Sequence, residues 1–236
     1  RKSFMSEEID LPVEEATPAP HLAKVLRDWL VVVLIALGAA MLVRVYVLQQ
    51  FYISGPSMQT TLLENNRVLV NKLSYRLHDV HRGDVVVFRD PDNWLPEIID
   101  YSTNQYLAKA KGALVAVGVL PNPAKQYLVK RVVGVAGDRI VCCTKDDKLS
   151  INGVEVDEPY IFSGNKASEM TFDVTVPEGK IWVMGDHRGA SADSRYHQED
   201  INKGFVPVSK VTGRVVAVIW PFKNITYLPK VDVLKK

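Results

Sequence analysis

Cysteine is nearly absent from this chain: Cys142 and Cys143 are the only two in 236 residues, and they are adjacent. Neighbouring side chains on a strand point to opposite faces, and a bridge between them would be strained. Two reduced thiols, at least one of them packed, are therefore expected, and the spacing excludes a zinc knuckle. An excess of one charge is also missing. Lys and Arg number 29 against 27 Asp and Glu, a formal net charge of +2, without the basic stripe of a nucleic-acid binder. Histidine is scarce, five in all. His78 and His81 sit in a polar turn with no cysteine or carboxylate cluster at ligand spacing, so neither a metal nor a cofactor is expected. No internal repeat is visible. Apolar mass is plentiful: 47% of residues are hydrophobic and 24% charged, enough for a sizeable core in one or two domains of about 150 residues.

Long hydrophobic runs are limited to one. The chain opens on Arg1 rather than Met, which points to a trimmed or tagged N-terminus. Residues 1–20 carry acids and three prolines with almost no apolar periodicity, so a disordered tail is expected, extending to about residue 26. Trp29 to Leu48 then supplies twenty residues whose only charge is Arg44. A bilayer core needs about 20 apolar residues, and Arg44 lies close enough to the end to snorkel. A removable leader has a shorter core and a small-residue cleavage site; this run continues into Val-Leu-Gln-Gln-Phe-Tyr instead. Residues 27–50 are accordingly read as a single transmembrane anchor. Lys24 and Arg27 flank its start while residues 49–63 hold no Lys or Arg, which favours an inside N-terminus and an outside body.

From residue 51 to 228 the texture is short β-rich runs broken by turns. Arg67–Lys72, Asp84–Phe88 and Tyr127–Val133 read as strands, the last ended by Gly134. Asn152-Gly153 between two short runs is a type I′ hairpin signal. Met170, Phe172, Val174 and Val176 alternate with polar residues, as a half-buried strand does. Ile181–Met184 follows a Pro-Glu-Gly turn, and Gly213–Trp220 reads as a nearly continuous buried strand stopped by Pro221. The expectation is a mainly β, antiparallel domain, followed by a short tail over 229–236. One segment breaks the pattern. Residues 92–125 hold several aromatics and the run Gly112–Leu120, too short to span a bilayer; they are a packed insertion, or one that dips into the membrane interface beside Lys109 and Lys111.

The chemistry gathers around Ser57 in Phe51-Tyr-Ile-Ser-Gly-Pro-Ser57-Met-Gln-Thr-Thr-Leu62. Gly-Pro-Ser is a common turn, but a serine just past a membrane anchor is also placed to act as a nucleophile. It needs a partner to take its proton. Lys130, in Val129-Lys-Arg-Val-Val-Gly134, is one choice. On a strand Lys130 and Arg131 face opposite ways, so that one points inward among valines and the other reaches solvent; a buried lysine loses favour for its charged form. The other choice is His187 with Asp193, in Gly185-Asp-His-Arg-Gly-Ala-Ser-Ala-Asp-Ser-Arg195, which would complete a Ser/His/Asp triad. In the same loop Ser191, Asp193 and Arg195 are spaced to share a face, with Ser191 bonding a lysine amine and Asp193 pairing with Arg195. A catalytically inert, membrane-tethered scaffold remains the alternative of another class.

The ordered set SGPSMQTTL (54–62), GDVVVF (83–88), VKRVVGVAGD (129–138) and GDHRGASADSR (185–195) resembles bacterial type I signal peptidases, or leader peptidases. The resemblance implies a barrel-like antiparallel fold behind one transmembrane helix. It implies a serine endopeptidase that removes signal peptides from exported preproteins at the outer face of the bacterial cytoplasmic membrane, acting as a monomer and without a cofactor. It makes Ser57 the nucleophile and Lys130 the general base, with Ser191 orienting the lysine and Asp193 and Arg195 supporting the site. Met58 becomes a substrate contact, and His187 a surface variant. Small residues one and three places before the cut are implied as well. Three positions depart from the family pattern. Thr60 and Ala136 stand where proline is frequent. Gly55 stands where some members carry a serine whose hydroxyl helps the oxyanion hole, leaving that work mainly to the Ser57 N–H.

Overall fold

The computed structural model describes residues 20–96, 126–229 and 231. The 1–19 tail, most of the expected insertion (97–125) and residues 230 and 232–236 lie outside them. The chain divides into two units, residues 1–42 and 43–236. Helix α1 (Pro20–Tyr46), most of which belongs to the first unit, contains the stretch Leu22–Val43, long and apolar enough to cross a membrane. The helix stops short of the expected boundary. Leu48 already belongs to strand β1 (Leu48–Tyr52), which pairs with the strand after it; two adjacent amide side chains, Gln49 and Gln50, are costly to place in a bilayer core and are accommodated at a sheet edge instead.

The second unit is built from antiparallel strands. After β1 come β2 (Arg67–Asn71), the one-turn helix α2 (Ser74–Leu77) and β3 (Val85–Arg89). Then follow β4 (Tyr127–Val135), β5 (Arg139–Cys142), β6 (Leu149–Ile151), β7 (Val154–Glu155), β8 (Phe172–Thr175) and β9 (Lys180–Met184). The last are β10 (Val206–Pro207), β11 (Val211–Trp220) and β12 (Thr226–Tyr227). Two sheets result. The larger runs β1-β2-β11-β3-β4-β9-β10, with β12 beside β11, and the smaller runs β7-β6-β5-β8. Among the described residues the path of the larger sheet ends at β1 and β10 without closing, so this sheet is open and antiparallel and not a closed barrel.

The continuous apolar strands of the larger sheet are covered on both faces. Val85 and Val87 enter one core cluster with Met58, Leu62 and Val215, while Val86 and Phe88 enter another with Leu128 and Val183. Along β9, Ile181 and Val183 join that second cluster, while Trp182 and Met184 join a third made with the smaller sheet. This is the period-2 pattern of a strand with no solvent face. It also corrects the expectation for β4, since neither of its adjacent cations reaches solvent: Lys130 is 4% exposed and Arg131 2%.

Further details depart from the sequence reading. Gly134 does not end β4; it sits at a register shift within the β4–β9 ladder, where a Cβ would collide with the Ile140 side chain. The hairpin at Asn152-Gly153 is as expected, with φ of 55° and 81° between β6 and β7, the left-handed pair that a type I′ turn demands. Cys142 and Cys143 are joined in a disulfide, contrary to the two thiols expected. β5 ends at Cys142, so strand alternation does not govern Cys143. Trp220, at the end of β11, is exposed rather than buried. Val231, in the expected tail, packs on the cluster holding Trp182.

Candidate active site

Ser57 lies in a single 3₁₀ turn, Pro56–Met58, entered through the extended Gly55. Proline suits the first position of such a turn because its missing N–H has no partner there anyway. The turn is pinned from below: Met58 is 1% exposed, packed in the core with Leu62 and Val68, and its carbonyl accepts from Thr61 N and Leu62 N. The Met58 side chain thus offers no open surface to a ligand. A Cβ on Gly55 would meet nothing within 4 Å, so the departure at this position leaves free space.

Lys130 comes from the middle of β4, the strand between β3 and β9, where the backbone is held on both sides. Its Nζ donates to Ser57 Oγ at 2.6 Å. Burial is the main force on this amine and pushes its pKa down to about 8; the positive charge of Arg195 acts the same way, while the carboxylates of Asp193 and Asp186 oppose it.

The loop after β9 brings the third group of residues. Burial would push the Asp193 carboxyl up, but its hydrogen bonds and the Arg195 charge outweigh this and hold it below the usual carboxylate range. Arg195 Nε donates to Asp193 Oδ1 at 2.8 Å and Arg195 Nη2 to Oδ2 at 2.9 Å. Gly185 N (2.9 Å) and Ser191 Oγ (2.7 Å) also donate to Oδ2. The Ser191 hydroxyl thus gives its hydrogen to Asp193 and not to Lys130. It stands close to Ser57 all the same: a Cβ on Gly185 would run into both Ser191 Oγ and the Ser57 carbonyl oxygen. With both oxygens engaged by Arg195, Asp193 has no pairing with His187. His187 instead donates its backbone N–H to Ser57 O at 3.1 Å. Its Nδ1 lies 3.1 Å from Gln59 Oε1, and its ring stacks on Phe162 with centroids 4.1 Å apart.

A second network surrounds the first; of its members the motifs drew attention only to Arg131, as the neighbour of Lys130, and gave it no role in the site. Arg131 holds Asp186 through Nε at 2.8 Å and Nη2 at 2.7 Å, donates to Gly83 O at 2.9 Å, and reaches Thr61 Oγ1 at 2.9 Å. Thr61 in turn donates to Asp186 Oδ2. The turn carrying Ser57, the strand carrying Lys130 and the loop carrying Asp193 are thereby tied together. The Tyr160 ring lies 4.0 Å from the Arg131 guanidinium carbon, and Arg188 pairs with Glu158 at 2.6 Å in the same buried layer. The valines on both sides of Lys130-Arg131 were the available signal: a strand buried on both faces buries both cations, and a buried arginine needs a carboxylate.

This arrangement can activate a hydroxyl, since a buried amine of lowered pKa touches a serine oxygen. Among the described residues no group of three or more His, Cys, Asp or Glu is arranged to hold a metal ion. Comparison with known proteins gives a consistent result. The family model for signal peptidase, peptidase S26, matches residues 26–220. A probable signal peptidase I of Mycobacterium leprae is 33% identical, covering 90% of this chain and 86% of that protein. Signal peptidase I of Mycobacterium tuberculosis is 34% identical over 86% of this chain and 76% of its own length. That of Bacillus caldolyticus is 32% identical over 78% of this chain and 86% of its own.

Proposed function

The chain belongs to the signal peptidase family, peptidase S26, and from that premise we propose that it is a membrane-anchored endopeptidase that removes signal peptides from exported preproteins with Ser57 as nucleophile and Lys130 as general base. The observation that carries this reading is the 2.6 Å contact between Ser57 Oγ and a Lys130 amine whose pKa burial lowers to about 8. Neutral Lys130 takes the Ser57 proton as Oγ attacks the scissile carbonyl. The Ser57 backbone N–H, at the start of its turn where no intrahelical acceptor exists, stabilises the oxyanion; one such donor is worth about 3–4 kcal/mol. The protonated lysine then gives its proton to the leaving amine, and the acyl group stays on Oγ. Lysine, neutral again, takes a proton from water, hydroxide attacks the acyl carbonyl, and the lysine returns that proton to Oγ. Asp193, Arg195 and Ser191 position this pair through Gly185, which passes directly under Ser57.

Helix α1 supplies the anchor. Lys24 and Arg27 at its start favour an inside N-terminus, which leaves the β body, from Leu48 on, on the outer face as the catalytic domain. Holding enzyme and preprotein on one bilayer raises their effective concentration. The test is preprotein cleavage in detergent by wild type, Ser57→Ala and Lys130→Ala. Cleavage by wild type and its loss in both variants is the expected outcome; a variant that keeps cutting removes its residue from the mechanism.

A further inference from the structure

Beside Phe162, whose ring stacks on His187, lies an open cleft of about 460 Å³ lined by neither Ser57 nor Lys130. Val156, Pro159, Ile161 and Phe162 give it an apolar wall, and each keeps part of its surface accessible. Its rim is charged: Lys148 pairs with Asp157 at 2.6 Å and Lys166 with Asp147 at 3.4 Å. An unbroken series of contacts joins this wall to the nucleophile. Phe162 stacks on His187 and donates its N–H to Asp186 O at 2.9 Å. His187 touches Gln59 through its ring and the Ser57 carbonyl through its backbone.

We infer that this cleft receives the mature segment of the substrate, a few residues beyond the scissile bond, and favours an extended stretch with an apolar or aromatic side chain between polar neighbours. The inference rests on the signal-peptidase reading above. Size argues against the residues before the cut, because small side chains need only shallow pockets, whereas sites for whole small molecules begin at about 300 Å³. Charge argues against the apolar core of the signal peptide, since laying it here would strip water from two exposed ion pairs. What remains is the mature chain. An extended strand advances about 3.3 Å per residue, so the step across His187 takes only a few residues. His187 and Phe162 then act as positioning residues between the cut and the cleft.

Ser163 lines the cleft and is exposed, so Ser163→Trp fills it from the solvent side. The full chain in detergent is given two peptides with the same signal segment and cut, one ending about two residues past it and the other about ten. Ser163→Trp should lower kcat/KM on the long peptide about five- to tenfold, through KM, and leave the short peptide unchanged. Equal loss on both peptides with an unaltered melting temperature, or no loss on either, overturns the inference. A second measurement does not depend on turnover or on that variant: the long peptide, carrying a benzophenone at about the fifth mature residue, is photo-crosslinked to Ser57→Ala. Labelling within residues 156–167 supports the cleft, and labelling elsewhere sinks it. Failure of wild type to cut either peptide would instead sink the peptidase reading, with the crosslink still deciding what occupies the cleft.

Discussion

At Lys130, strand β4 buries a cation whose only hydrogen bond among the described residues goes to a neutral hydroxyl, while one residue later it buries a cation gripped by both oxygens of Asp186. The surroundings are equally dry, yet the outcomes are opposite. Arg131 is held charged: burial pushes its pKa down, but the Asp186 hydrogen bonds and charge more than offset this, and the net direction is up. Lys130 has partial Coulombic help from Asp193 and Asp186 but no carboxylate bond, so burial dominates and its pKa falls to about 8. A buried cation paired with a carboxylate is structural, whereas one bonded only to a neutral hydroxyl is kept close to neutrality and is suited to proton transfer.

The largest expected effect separates these two roles at the lysine itself. Lys130→Met should lower kcat by at least about 10³-fold while raising the melting temperature, because a poorly compensated buried charge is replaced by an apolar side chain of similar length. Steady-state cleavage alongside thermal melting checks both halves; a drop in melting temperature would contradict the assignment of Lys130 as functional rather than structural. Asp186→Ala should invert the pattern. Leaving Arg131 buried and unpaired costs about 3–5 kcal/mol, read as a fall in denaturation midpoint, with lost activity following lost fold.

Proton linkage gives a third, smaller signature. The unfolded lysine titrates near 10.5 and the folded one near 8, so between these values the unfolded state binds more protons. Stability should therefore rise with pH across roughly 8 to 10.5 on account of this group, with the sign fixed by proton linkage. Activity should rise with pH on an acid limb with its midpoint near 8, as the neutral base accumulates. A pH profile of kcat/KM flat from 6 to 9 would argue against lysine as the base. Replacing His187 with Ala should have the smallest effect on a short substrate, less than about threefold, because Asp193 is committed to Arg195. A loss matching that of Ser57→Ala would restore the triad.

Much of this was legible along the chain because the determining physics is local. The strand runs follow two-residue periodicity, the Asn152-Gly153 turn needs two left-handed residues, and an apolar stretch of membrane length declares itself by composition alone. The Ser57, Lys130 and 185–195 segments could be named from their motifs. The fate of Arg131 was not legible in the same way, because alternation says which side a residue faces and not whether that side is covered. The same gap hid Asp186 and Thr61, whose importance comes from meeting Arg131 across 55 and 70 residues of chain. It also affected Met58, expected at the substrate and found in the core.

By itself the sequence determined the antiparallel β character of the body, one membrane-length helix before it, and the residue types capable of the chemistry. These rest on periodicity, composition and short motifs, which act over a few neighbouring residues. Tertiary structure decided that Asp193 serves Arg195 and not His187, that Lys130 is dry and bonded to a serine, and that the sheet stays open. Those outcomes depend on which segments pack together, because desolvation and hydrogen-bond partnership are properties of surroundings rather than of a residue.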